Sequence, residues 1–213
     1  DAHIEKPGVM KAFMKLSEEE VEWLAKFANR HFSKIKESGA WIGMANWREQ
    51  HVVSGDQVVI EFMEAAAKRL HELGRMGKAL VMMVKDDGAA HTEHMELARE
   101  RLWEEIQRAK KYPPVKPVLM NDGRFIYDPT MYADYLSGQL VKKADWRLAM
   151  WVAALEGYRY FVEPGSKNLM SSFMKKEFPG YELIEEKFGE VVVIKEVPEA
   201  PADINKKIEL LAA

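Results

Sequence analysis

Residues 17–32, Ser17-Glu-Glu-Glu-Val-Glu-Trp-Leu-Ala-Lys-Phe-Ala-Asn-Arg-His-Phe32, read as the start and body of an amphipathic helix. Ser17 and Glu20 have the spacing of a capping box, in which the Ser17 hydroxyl accepts from the Glu20 amide and the Glu20 carboxylate reaches back. Three acids in the first turn suit the positive end of the helix dipole. Val21, Leu24, Ala28, His31 and Ile35 recur at spacings of three and four, and Gly39 is a natural stop.

The same period recurs downstream. Ser54-Gly55-Asp56 opens a second helix whose stripe is Val59, Phe62, Ala66, Leu70 and Leu73. A third is expected from Ala89 to Tyr112, with Met95, Ala98, Leu102, Ile106 and Ala109 inward, stopped by Pro113-Pro114. A fourth is expected from Lys143 to Val162, on Leu148, Trp151, Leu155, Tyr158 and Val162. Two segments are left open. Trp41 to Val53 reads as an irregular turn or a short helix under the core, and Lys78 to Lys85 as a strand or a buried helical turn.

β signals are confined to two places. Val118–Met120 and Arg124–Tyr127 flank Asp122-Gly123, which supplies the positive φ of a tight hairpin turn. Tyr181–Glu186 and Glu190–Val197 suggest a second hairpin turning near Phe188-Gly189, rich in β-favouring Val191–Ile194. The expected fold class is therefore mainly α (α+β): an antiparallel bundle of about four long helices with two small peripheral hairpins. Its divisions are an N-terminal arm, 1–16, a helical region, 17–112, and a Pro-rich connector with hairpin, 113–129. A second helical region, 130–180, and a C-terminal hairpin with tail helix, 181–213, complete one compact domain with extended ends.

Composition narrows the function classes. A net charge of -3 argues against general nucleic-acid binding, which needs a basic surface to displace counterions. The absence of cysteine removes disulfides, thiolate metal sites and a cysteine nucleophile. No apolar run approaches the roughly 20 residues that span a bilayer, so a soluble protein is expected. The start at Asp1, without methionine, is what removal of an organelle leader or a trimmed end would leave.

Motifs for chemistry are sparse. No G-x-S-x-G elbow, Walker loop or G-x-G-x-x-G occurs, and no cofactor is implied. His91 and His94, at i and i+3 of the expected third helix, are candidate metal ligands, with Asp86 or Asp87 adding a carboxylate. The plainer reading is two histidines of a cap region, bonded to backbone or water. Trp103 and Trp146 lie off their helical stripes. Together with Trp41 and Trp47 they are candidate partner-interface residues. Weighed together, these features favour a non-catalytic scaffold subunit of a larger assembly, with other protein subunits as partners. The alternatives are a small helical enzyme with the His91/His94 metal site, and a small-molecule binding module built around Trp41, Trp47 and Trp151.

Overall fold

Extended backbone governs the chain on both sides of its first helix. The computed structural model of the protein describes residues 8–33, 39–85, 88–164, 169–186 and 189–212. Val9–Met14 is strand β1, and Glu18–Phe32 is helix α1. Ala40–Trp47 and Gln50–Gly55 are strands β2 and β3, followed by α2, Gln57–Glu72, and β4, Leu80–Lys85. Next come α3 (Glu96–Arg108), the short strands β5 (Val118–Leu119) and β6 (Phe125–Ile126), α4 (Tyr132–Gly138) and β7 (Ala144–Asp145). The remainder is α5 (Trp146–Leu155), β8 (Tyr160–Glu163), α6 (Leu169–Glu177), β9 (Tyr181–Glu186), β10 (Gly189–Ile194) and α7 (Ala202–Ala212). The chain divides into two compact units, 1–118 with 126–144, and 119–125 with 145–213.

In the first unit the strand order is β4-β1-β3-β2, with the two-residue β7 beyond β2. β1 runs antiparallel to β3, Val9 opposite Gly55 and Met14 opposite Gln50, and β4 is antiparallel to β1 on its other side. With α1 and α2 as crossovers this is the β-α-β-β-α-β arrangement of ferredoxin-like folds. Alternation along β1 sends Val9 and Phe13 to one face, where they meet Val21, Leu24 and Ala28 of α1 and Val59, Ile60 and Met63 of α2. Met10 and Ala12 face the other way, with Val52, Met44 and Ala90. Both faces of β1 and β3 are thus covered, while Met82, Met83 and Val84 of β4 stay about half exposed.

This corrects the expected helical bundle: the architecture is α/β, and among the described residues five strands form its main sheet. The amphipathic helices are real, but α1 and α2 bury their stripes on a sheet as well as on each other, where Phe62 of α2 stacks on Phe27 and His31 of α1. The strands escaped the sequence reading for physical reasons. Val-Met-Lys-Ala-Phe-Met (9–14) is covered on both faces, so polar residues do not alternate with apolar ones. Ala40–Trp47 carries a bulge between Ile42 and Met44, which shifts its register. The expected third helix starts late, because residues 89–92 are not helical and Glu93–Met95 form a single 3-10 turn. The fourth ends at Leu155. There Gly157 adopts φ +95°, its amide bonds the Ala154 carbonyl, and the chain turns into β8.

The second unit is organised around α5, whose Leu148, Ala149, Met150, Trp151, Ala153 and Ala154 are all buried. Strand order in its sheet is β8-β10-β9. Gly123, at φ +84°, makes the turn between β5 and β6 that the Asp-Gly pair predicts. Arg147 and Glu177 pair in the interior at 2.8 Å, with exposures of 5% and 1%. Trp151 Nε1 donates to the same Glu177 Oε1 at 2.8 Å, and Arg147 also pairs with Asp203 of α7. Burial opposes the charge on Arg147. Glu177, then Asp203, outweigh that effect, and the guanidinium pKa is raised.

Removing one partner of such a pair strands the other charge in low dielectric. Glu177→Ala is therefore expected to lower the unfolding free energy by about 3–5 kcal/mol, while Arg147→Met combined with Glu177→Leu recovers part of that loss. Urea denaturation followed by tryptophan fluorescence checks both. Equal losses in the two variants would contradict the assignment.

Candidate active site

Residues 88–92 cross the second face of the first unit's sheet at very short range. A Cβ on Gly8 would stand 2.4 Å from the Ala89 Cβ, and one on Gly43 would stand 3.0 Å from the Ala90 carbonyl oxygen and 2.5 Å from Ser54 Oγ. Only glycine admits this approach. Thr92, 3% exposed, donates from Oγ1 to the Ala89 carbonyl at 2.6 Å and closes the segment on itself.

Inside this clamp His91 adopts φ +63°. A non-glycine residue there is held by its surroundings, and such strain gathers at functional sites. Two backbone carbonyls hold it. Its amide donates to Leu140 at 2.8 Å, and its Nδ1 lies 2.6 Å from the Gln139 carbonyl oxygen. A carbonyl only accepts, so Nδ1 carries the hydrogen. In the neutral ring the basic lone pair is then on Nε2, which makes no hydrogen bond with a described residue. The Gln139 and Leu140 carbonyls follow directly on α4, whose end is tightened by Ser137 donating to Ala133 at 2.6 Å.

His94 has a different environment. Its ring meets Trp41 edge-on at 5.9 Å, and its Nε2 lies 4.0 Å from Asp56 Oδ2, which accepts from the Gly39 amide at 2.7 Å. His91 and His94 share no partner, and they do not sit on a common helix face as the i, i+3 spacing predicts. Among the described residues no group of three or more His, Asp or Glu is placed to hold a metal ion. Asp86 and Asp87 lie outside the described residues.

The tryptophans are distributed. Trp41 is partly exposed on β2. Trp47 bonds Gln50 at 2.9 Å, and Trp103 of α3 bonds Asp134 of α4 at 2.8 Å. Trp151 is buried in the second unit, packed on Phe178, whereas Trp41 and Trp47 belong to the first. Trp146 borders an apolar cavity of about 440 Å³ in the second unit, with Met120, Met150, Phe161, Met170 and Met174. At its rim, Glu163 accepts from the Leu169, Met170 and Ser171 amides and the Ser171 hydroxyl, capping α6.

No family model matches the chain, and no curated protein matches its sequence. Solved structures do match. FabD from Acinetobacter baumannii superposes with a TM-score of 0.71 at 20% identity, over 97% of this chain and 60% of that one. The malonyl CoA-acyl carrier protein transacylase of Coxiella burnetii follows the chain with a TM-score of 0.70 at 22% identity, over 80% of this chain and 50% of that one. A malonyl-transacylase in complex with its type II PKS acyl-carrier protein gives 0.67 at 18% identity, over 79% and 51%. The chain shares the fold of these transacylases. It spans between half and three-fifths of their length. At these identities the likeness establishes the fold.

The likeness also corrects the scaffold-subunit reading. Helices α1 and α2 are not free faces for other subunits but cover a sheet, and the solved structures with this architecture are named as enzymes. In the sequence His91 stands out by its spacing to His94. The groups that define its chemistry are the carbonyls of Gln139 and Leu140, which no side-chain motif can announce.

Two outcomes test the geometry. Two-bond proton–nitrogen spectra should place neutral His91 in the Nδ1–H tautomer, and Gly43→Val should abolish that single state by lifting residues 89–90. Burial works to raise the Glu163 pKa, but the Ser171, Met170 and Leu169 donors outweigh it and hold the carboxyl below its ordinary 4.5. Its contribution to stability is therefore complete above about pH 4.5 and lost as the pH falls through the lower, folded value. Acid titration of stability should fall less steeply for Glu163→Gln, which starts less stable at pH 7. Parallel curves would exclude the cap.

Proposed function

We propose that this chain carries the histidine-bearing part of an acyltransferase of the malonyl-CoA:acyl carrier protein type. The observation that carries the reading is the His91 ring, with Nδ1–H fixed on a carbonyl and Nε2 left as base, in a fold shared with FabD. A base oriented by a third group beside a nucleophile is the general arrangement of acyl transfer. Nε2 takes the proton from an attacking hydroxyl or thiol as the bond to the acyl carbon forms. The thiolate of the donor thioester then leaves and receives that proton from the imidazolium. The Gln139 carbonyl keeps the ring in register through both steps, the role a carboxylate fills in the Ser-His-Asp triad.

No G-x-S-x-G stretch occurs in these 213 residues. The attacking group in this reading is a hydroxyl or thiol presented to Nε2. Acyl carrier protein is the partner this reading implies. Among the described residues no helix is long and apolar enough to cross a membrane.

The test is transfer of a malonyl group from malonyl-CoA to acyl carrier protein, followed by mass spectrometry in the protein isolated from its source. His91→Ala should lower kcat by about 10²–10⁴-fold, with His71→Ala, on the surface of α2, as the unaffected comparison. Equal rates for His91→Ala and the parent protein would end the assignment.

A further inference from the structure

Thr92 stands where a helix cap stands, and it does not cap. It precedes the Glu93–Met95 turn that leads into α3, with extended backbone at φ -139° and ψ 168°. A threonine in that place ordinarily turns its hydroxyl forward and accepts from an amide of the first turn. Thr92 makes no such bond. Its hydroxyl points backward instead and donates to the Ala89 carbonyl at 2.6 Å, with Thr92 3% exposed and Ala89 1% exposed. The helix that follows starts without a side-chain cap, and the hydroxyl serves the segment behind it.

That bond closes a loop around a single strained residue. Ala89 and Thr92 are its two ends, and His91, at φ +63°, lies between them. Left-handed backbone is unfavourable for a histidine and persists only where the surroundings over-determine it. On one side the surroundings are the Leu140 and Gln139 carbonyls, at 2.8 and 2.6 Å. Those two bonds fix where His91 ends. They do not fix the path of the chain that brings it there, and that path is what Thr92 ties. The sheet beneath supplies no substitute. Ser54 Oγ and the Ala90 carbonyl both approach Gly43, yet Ser54 Oγ is buried without a hydrogen-bond partner among the described residues. We propose that Thr92 is the positioning residue of this site: its hydroxyl, donating to Ala89, holds His91 in the left-handed turn in which Nδ1 meets the Gln139 carbonyl and Nε2 is left as base. Its catalytic meaning rests on the acyl-transfer reading, its geometry does not, and the test separates the two.

Thr92→Val keeps the branched shape and removes the donor. Two-bond proton–nitrogen spectra of the full chain should then show His91 divided between its two neutral tautomers, where the unaltered protein holds Nδ1–H alone. Thr92→Ser, which keeps the hydroxyl, should retain the single state. Ser54→Ala, which removes an unbonded hydroxyl beside the same segment, should not disturb it. In malonyl transfer from malonyl-CoA to acyl carrier protein, kcat should fall by up to about 10²-fold for Thr92→Val, with KM for malonyl-CoA unchanged, and should recover in Thr92→Ser. A Thr92→Val protein that loses thermal stability but keeps the single His91 tautomer would mean packing alone, and would overturn the proposal. A mixed tautomer in Thr92→Ser would overturn it as well. In the unaltered protein the Thr92 hydroxyl proton should exchange slowly with water, which tests the donor even if Thr92→Val does not fold, and a freely exchanging hydroxyl would remove the bond. If the tautomers respond as expected while His91→Ala transfers malonyl at the full rate, the acyl-transfer reading fails and the hold of Thr92 on His91 stands.

Discussion

Residues 88–92 lie against the β1–β3–β2 sheet with no room for a side chain at positions 8 and 43. Gly8 and Gly43 make that approach possible, since a methyl group at either would overlap Ala89, Ser54 or the Ala90 carbonyl. Much of the first unit follows from this constraint. With the segment pressed onto the sheet, Met10, Ala12, Val52 and Met44 gain a cover that includes Ala90. Within that segment His91 takes a left-handed conformation that brings its amide and ring to the chain after α4. The two carbonyls after α4 then offset part of the strain with hydrogen bonds.

The second unit is held by a different kind of interaction. Its interior carries charge, and the charge is satisfied: Glu177 receives Arg147 and Trp151, and Arg147 also reaches Asp203. This links α5, α6 and α7 through groups that are specific in direction, where an apolar contact would tolerate sliding. Glu163 plays a comparable part at the other end of α6, fixing where that helix begins. Two carboxylates thus serve as structural anchors, which explains why counting acidic pairs in the sequence says little about catalysis.

What the sequence discloses is local. The capping box at Ser17 forms as its spacing predicts, with Glu20 donating its amide to Ser17 Oγ and accepting from the Ser17 amide. The Asp122-Gly123 turn and the β9–β10 hairpin are likewise visible, because each depends on neighbours in the chain. Strands β1 and β2 are not, because what makes them strands is pairing across long separations; β4 falls in the Lys78–Lys85 run that the sequence leaves open between a strand and a buried turn. The helix read from Lys143 to Val162 shows the converse failure. Tyr158 and Val162 continue the period by coincidence, and Gly157 decides the matter with its positive φ. His91 was visible as a residue type. Its tautomer and strain depend on a loop 48 positions away.

That last dependence has a consequence for how such a site changes over time. A histidine oriented by a carboxylate can lose its partner through a single base change. Here the orienting atom belongs to the peptide bond of Gln139, and every amino acid supplies the same oxygen. Position 139 is free to drift in side chain while the proton on His91 stays where it is. The inheritance of this contact lies in the path of the main chain after α4, where sequence comparison has nothing to compare.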